Sequence, residues 1–382
     1  MAQWNRVPLI DYIELIGGGT PKTTVPEYWN GNIPWLSVKD FNNDKRYVYS
    51  TEKHISQSGF ENSPTKMLHK DDIIISARGT VGEIAMIPFD MAFNQSCYGI
   101  RASRGIDQPF LYYLLKNCIS QLKRMTHGSV FDTITRDTFA NIDVDIPDAE
   151  TQKRISSVLA DIDNKIEVND AINDNLHQQA ATLFKALFVD LTPFDGTMPP
   201  NWTISTLGDA TEMGAGGDKP KESSPVKTPL CPYPIYSNGI NDYGLYGYTN
   251  DPKIKVESVT VSARGTIGYV CLRHTPYVPI VRLVTLIPDT KVLSAKYLYL
   301  YLRQLHITGT GTTQQQLTVP DFRKTEIIIP DKNTMDSFTE TVTPLFEQIW
   351  ANEDENTKLA EVRDALLPKL MSGEIDVSDI QL

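Results

Sequence analysis

The chain contains one arrangement that could hold a catalytic metal. Pro147-Asp148 followed by Asp163-Asn164-Lys165 fits the loose Pro-Asp…Asp-x-Lys pattern of magnesium-dependent DNA cleavage. That chemistry needs the carboxylates and the lysine on adjoining strands around the ion. Asp163 and Lys165 fall instead in a segment with helical periodicity. The glycine cluster Gly214-Ala215-Gly216-Gly217 has the composition of a nucleotide or S-adenosylmethionine loop, but no clear buried strand leads into it. Methyl transfer to adenine would use Asn/Asp-Pro-Pro-aromatic, and Pro199-Pro200-Asn201-Trp202 has the wrong order. No Gly-x-x-x-x-Gly-Lys-Ser/Thr loop for ATP and no Gly-x-Ser-x-Gly nucleophile elbow occurs. Cys97, Cys118, Cys231 and Cys271 lack zinc-ligand spacing and are expected to be reduced thiols. No two of the six histidines stand at i, i+4, so no metal is expected. The expectation is a chain without catalytic activity of its own, working by binding.

The elements that position its side chains come in duplicate. Ser76-Ala77-Arg78-Gly79-Thr80-Val81-Gly82 returns as Ser262-Ala263-Arg264-Gly265-Thr266-Ile267-Gly268, each after a β-branched run. Trp4, Leu9 and Gly17-Gly18-Gly19-Thr20-Pro21 answer Trp202, Leu207 and Gly214 to Pro220. Phe110 to Leu114 answers Tyr297 to Leu300, and Ile146-Pro147 answers Ile329-Pro330. An internal repeat of this length fixes the architecture before any other signal.

A heptad-patterned segment follows each Ile-Pro. Ile155, Ile162, Asn169, Leu176 and Leu183 alternate with Leu159, Ile166, Asn173, Ala180 and Leu187. In the second segment Phe338, Leu345, Asn352, Leu359 and Leu366 alternate with Val342, Ile349, Asn356, Arg363 and Leu370. Asn169, Asn173, Asn352 and Asn356 thus occupy equivalent layers, where polar seam residues fix register. The simplest use is that the two helices pair, asparagines meeting near the middle; two unrelated amphipathic helices are the alternative. Pro344 is expected to kink the second helix, and Pro368 to end or kink it again.

These signals divide the chain into a globular unit (1–148), a helical region (149–190), a linker (191–200), a second globular unit (201–330) and a second helical region (331–382). Each globular unit is expected to be α+β with an irregular sheet and one helix, at 111–124 and 295–305. The net charge of −11 would disfavour nucleic acid if it were spread evenly. It is not: 149–195 carries −4 and 331–382 carries −8, whereas 1–148 carries −2 and 196–330 carries +3. Basic faces on the globular units are therefore compatible with the composition. No apolar run approaches the roughly 20 residues of a membrane span, and no signal peptide is visible, so a cytoplasmic location is expected.

Trp4-x-x-x-x-Leu9, the Gly-Gly-Thr-Pro run and Tyr28-Trp29-Asn30-Gly31-Asn32-Ile33-Pro34-Trp35-Leu36 are similar to the opening of a target recognition domain of type I restriction-modification specificity subunits. Arg363-Asp364-Ala365-Leu366-Leu367-Pro368-Lys369-Leu370-Met371-Ser372-Gly373-Glu374-Ile375 resembles that family's closing segment. Gly214-Ala215-Gly216-Gly217-Asp218 lacks the usual Thr-Pro, so the second loop need not share the first loop's conformation. The resemblance implies two similar target recognition domains separated by a pair of long antiparallel coiled-coil helices. It implies double-stranded DNA as ligand, read as an asymmetric two-part target. It further implies two DNA methyltransferase subunits and ATP-driven restriction subunits as partners. S-adenosylmethionine, ATP and magnesium would then sit on those partners and none of them on this chain.

Arg78 and Arg264 each end a β-run and open a glycine turn, where a guanidinium can shape the fold, grip phosphate or read a base edge. Ser129, Thr135 and Arg136 in the first repeat and Thr312, Gln314 and Gln315 in the second lie in polar loops at matching positions. Those loops suit groove or phosphate contacts, or are solvated turns. Base-reading residues are expected where the two halves differ.

Overall fold

A computed structural model of the chain describes residues 4–126, 133–309 and 316–378. Its contacts divide the chain into two compact units, Met1–Ala171 with Asn352–Leu382, and Ile172–Ala351. In the first unit, strands Ile13–Gly17, Cys97–Ala102, Ile73–Ser76 and Ile84–Met86 form an antiparallel sheet in that order. All four residues of Ile73–Ser76 are buried, which is why that strand reads as a continuous β-branched run instead of alternating. A second sheet orders Lys53–Ile55, Trp29–Leu36, Met91–Phe93 and Met67–Leu68, with a parallel pair at its centre. Asn5–Pro8 pairs separately with Asp143–Ile146. Helix Gln108–Thr126 supplies Phe110, Leu111, Tyr112 and Leu115 to the core, beside Leu9, Ile73 and Ile100.

The second unit repeats this plan. Thr211–Ala215, Val284–Pro288, Ser258–Val261 and Val270–Arg273 form its antiparallel sheet. Ser223–Ser224, Leu245–Thr249, Tyr233–Tyr236 and Val278–Pro279 form the other, again with one parallel pair. Thr203–Thr206 pairs with Glu326–Ile329, and the helix is Ala295–Gln304. The repeat read from short motifs extends to the strand order of the antiparallel sheet, whereas the parallel pair lies at the centre of the other sheet in the first unit and at its edge in the second. The α+β expectation holds.

Each long helix starts on a capping aspartate. Asp148 accepts the backbone N–H groups of Glu150 and Thr151 and the Thr151 hydroxyl before helix Ala149–Phe184. Asp331 does the same with Asn333 and Thr334 before helix Lys332–Met371, and also accepts the Trp202 indole N–H. These bonds satisfy helix donors that would otherwise lack partners. Hydrogen bonds from Thr151 hold Asp148, and those from Thr334 hold Asp331, below the usual carboxylate range. A carboxylate whose folded value is depressed stabilises above its ordinary value of roughly 4, and that contribution is lost as the pH falls through the folded value. An Asp148→Ala/Asp331→Ala protein is therefore expected to melt below the wild type at pH 7. The gap should narrow as the pH drops below about 4. Thermal unfolding followed by circular dichroism across pH checks this, and a gap that widens in acid would contradict it.

Within the first unit the two helices run antiparallel, Asp163 against Arg363 and Asn169 against Asn356. The Asn169 amide donates to Asn356 Oδ1 and Glu355 Oε2, both at 2.8 Å, and Asn356 Nδ2 donates to Asp170 at 3.0 Å. Asn352, in the first unit, is buried, and within the second unit Asn173 Nδ2 donates to the Ile349 carbonyl at 3.4 Å and Phe184 packs on Phe338.

The strict heptad reading fails at both ends of the second unit's helix segments. Leu183 is partly exposed, and the buried positions are Ala180, Phe184 and Phe188, a spacing of four and four. Phe346 is likewise buried where the heptad names Leu345. A helix packing on a globular core keeps its natural 3.6-residue period, so the buried stripe drifts off a seven-residue repeat. A π-turn over Lys185–Val189 accompanies the shift. Neither proline breaks the second helix, which runs through Pro344 and Pro368 to Met371. Both prolines are exposed, so the carbonyls of Glu340 and Asp364 that lose an N–H partner can turn to water.

Candidate nucleic-acid interface

The repeated arginine motif builds the same turn in both units. The Ser76 hydroxyl donates to the Thr80 carbonyl at 2.6 Å and accepts the Glu83 N–H at 2.8 Å, while Gly82 N–H returns to the Ser76 carbonyl at 3.0 Å. In the second unit Gly268 N–H returns to the Ser262 carbonyl at 2.9 Å. Gly82 and Gly268 lie at φ +85° and +84°, the left-handed region that glycine enters without steric penalty. The motif thus has a clear framework role, and the arginine stands at the tip of the turn. Arg78 is exposed, with no side-chain hydrogen bond or ion pair among the described residues. Arg264 is also exposed, and its Nε and Nη2 donate to Gln316 Oε1 at 3.1 and 2.9 Å.

Each turn is tied to the chain just beyond a polar loop. Ile134 N–H donates to the Ala77 carbonyl, and Leu317 N–H to the Ala263 carbonyl, both at 3.0 Å. Ser129, Thr312, Gln314 and Gln315 lie outside the described residues. Thr135 and Arg136 have local partners: Thr135 caps the short helix Arg136–Ala140, and Arg136 Nη2 donates to the Leu15 carbonyl at 2.9 Å. The pair therefore holds the loop's base against strand Ile13–Gly17.

The residues of the nuclease-like pattern are separated. Asp148 caps a helix, Asp163 is buried against Arg363 and Tyr113, and Lys165 pairs with Glu355 at 3.2 Å. Cys97 and Cys118 are buried free thiols, pushed by burial up to about 12 and about 11. Among the described residues no three His, Cys, Asp or Glu side chains converge as a metal site would require, and no helix is long and apolar enough to cross a membrane.

Sequence reasoning missed the polar cluster that fixes the helices to the first globular unit. Arg363, a seam position by heptad, is 4% exposed and donates to Asp163 at 2.9 Å, Asp44 at 2.8 Å and Asp364 at 2.9 Å. The Tyr113 hydroxyl donates to Asp163 at 2.6 Å, and Lys116 pairs with Asp44 at 2.8 Å. Burial opposes the Arg363 charge, but its bonds to Asp364 and Asp163 and the field of Asp44 outweigh that and raise its pKa. A charged residue inside a heptad seam was the available signal.

Two similarly built units, each presenting an arginine turn hydrogen-bonded to the chain that follows a polar stretch, define a duplicated binding protein. The profile of the type I restriction modification DNA specificity domain matches residues 1–178 and 199–361, and the chain belongs to that family. It is 27% identical over 413 residues to the type I restriction enzyme MjaIX specificity subunit of Methanocaldococcus jannaschii, covering 99% of this chain and 94% of that protein. It is 26% identical to the HindI specificity subunit of Haemophilus influenzae, covering 70% of this chain and 77% of that one. The crystal structure of a type I restriction-modification S subunit from M. genitalium shares the fold, with a TM-score of 0.58 at 15% identity over 97% of this chain and 96% of that chain. These relatives agree with the expected class, a type I specificity subunit.

Proposed function

We propose that this chain reads duplex DNA for a type I restriction-modification complex in the cytoplasm, each unit taking one half of an asymmetric two-part target. The observation that carries this is the duplicated arginine turn: an exposed guanidinium in each unit, Arg78 and Arg264, on the same scaffold. In this reading Arg78 and Arg264 hold phosphate, because a feature common to both units positions DNA without distinguishing sequences. Two methyltransferase subunits and the restriction subunits dock on the chain, bringing S-adenosylmethionine, ATP and magnesium with them. The acidic charge of 149–195 and 331–382 supports protein over phosphate as the partner of the helical regions.

Alone, the chain is expected to bind DNA weakly with steep salt dependence; with a methyltransferase subunit it should become sequence-specific. Fluorescence anisotropy with and without the partner, at several salt concentrations, measures both. Tight specific binding by the isolated chain at physiological salt would contradict the reading. So would methyl transfer or cleavage by the chain alone with magnesium and S-adenosylmethionine.

A further inference from the structure

Beside each arginine turn lies a short tip that joins the two sheets of its unit. In the first unit the tip is Gln95-Ser96, between strands Met91–Phe93 and Cys97–Ala102; in the second it is Val281-Arg282, between Val278–Pro279 and Val284–Pro288. The two correspond in hydrogen bonding. Asn94 N–H donates to the Leu36 carbonyl and Ile280 N–H to the Tyr236 carbonyl, at the end of the parallel pair in each unit.

Both tips are fastened from two sides. Ala77 and Arg78 N–H groups donate to the Ser96 carbonyl at 2.8 and 3.2 Å. In the second unit Asn238 bridges the same gap, accepting from Ala263 N–H and donating to the Val281 carbonyl, both at 2.7 Å. The glycine-rich openings close the other side. A Cβ on Gly18 would stand 2.1 Å from the Asn94 carbonyl oxygen, and one on Gly216 2.7 Å from the Ile280 backbone. Val281 and Arg282 N–H groups donate to Gly217 and Gly216 carbonyls at 2.9 and 2.8 Å. The second opening therefore docks on its tip as the first does, although it lacks Thr-Pro. These bonds hold Val281 and Arg282 at φ +53° and +60°, where bulky residues are seldom found.

What the fastened backbone presents differs between the units. Arg282 is exposed and, among the described residues, its guanidinium makes no hydrogen bond or ion pair. Gln95 is exposed, its side-chain carbonyl accepts the Thr20 hydroxyl, and its amide N–H groups make no hydrogen bond among the described residues. The turn that both units share cannot tell one half-site from the other, whereas these tips differ in sequence between the units. Arginine matches the two acceptors of a guanine edge, and glutamine the donor and acceptor of an adenine edge.

We propose that these tips are specificity-determining, Arg282 reading a guanine in one half-site and Gln95 an adenine in the other. The proposal rests on the DNA-recognition reading above. The test uses the full chain assembled with its methyltransferase subunits, with the methylated sequences mapped genome-wide for wild type, Arg282→Ala, Arg282→Lys and Gln95→Ala. Arg282→Ala should relax one G·C position in one half-site, with discrimination falling roughly 5- to 150-fold, and leave the other half unchanged. Arg282→Lys keeps the charge but loses the paired geometry, so it should not restore that position. Gln95→Ala should relax one A·T position in the opposite half. An Arg282→Ala complex that keeps the wild-type preference, or that weakens on all sequences alike with a shallower salt slope, would overturn the assignment to base reading. A wild-type complex with no preferred sequence would overturn the DNA-recognition reading itself.

Discussion

Arg363→Ala is expected to lower the unfolding free energy by about 3–5 kcal/mol, because it leaves Asp163 as a buried charge without its cation. Asp163 is 4% exposed and among the described residues keeps only the Tyr113 hydroxyl as a side-chain partner, while Asp44 retains Lys116. The magnitude comes from the unpaired partner more than from the lost attraction. A second variant separates these two contributions. The pseudo-equivalent layer of the second unit holds Ala180 and Phe346, both buried, with Phe346 against His177, Tyr299 and Trp350. Arg363→Ala/Asp163→Phe copies that layer into the first unit and should recover a large part of the loss, since apolar replacement of a whole buried ion cluster is often neutral or better. Urea unfolding of both proteins gives the comparison. If Arg363→Ala unfolds at the wild-type midpoint, or if the double variant is less stable than the single one, the cluster does not stabilise the fold in this way.

The duplication was legible because it leaves identical residues where the backbone is most constrained. Gly82 and Gly268 need left-handed φ, and Gly18 and Gly216 have no room for a Cβ, so these positions stand out in the sequence. The helices were legible from their periodicity, down to the asparagines that meet at Asn169 and Asn356, whereas the capping roles of Asp148 and Asp331 were not read. What stayed hidden was set by packing between segments remote in sequence. Nothing near Asp44 or Asp163 announces that Arg363, more than 190 residues away, supplies their charge. The drift from Leu183 to Phe184 follows from the aromatic cluster of Tyr297, Phe338 and Trp202, not from the helix alone. The tips escaped notice for a related reason: Arg282 and Gln95 belong to no motif, and only the hydrogen bonds to the repeated turns bring them to attention.

The methylated target is expected to be split and asymmetric, and its unread spacer should respond to the length of the long helices. These have 36 and 40 residues, about 54 and 60 Å at roughly 1.5 Å per residue. The first passes from one unit's contacts to the other's near residue 171, and the second returns near residue 352. Removing one heptad from each at facing positions near those points takes out about 10 Å of helix. At about 3.4 Å per base pair that corresponds to about three base pairs of spacer. The two lengths do not match in rotation. Seven residues complete nearly two turns of an α-helix, whereas three base pairs turn the duplex by only about a third of a turn. The shortened complex is therefore expected to prefer a spacer about three base pairs shorter, with reduced affinity, because the DNA must twist to present both half-sites. The bases read in each half-site should not change, since the tips and the arginine turns are untouched. Mapping methylation in cells that carry either protein measures spacer and half-sites together. A continuous palindrome for the native chain, or the native spacer for the shortened one, would show that the helices do not set the separation.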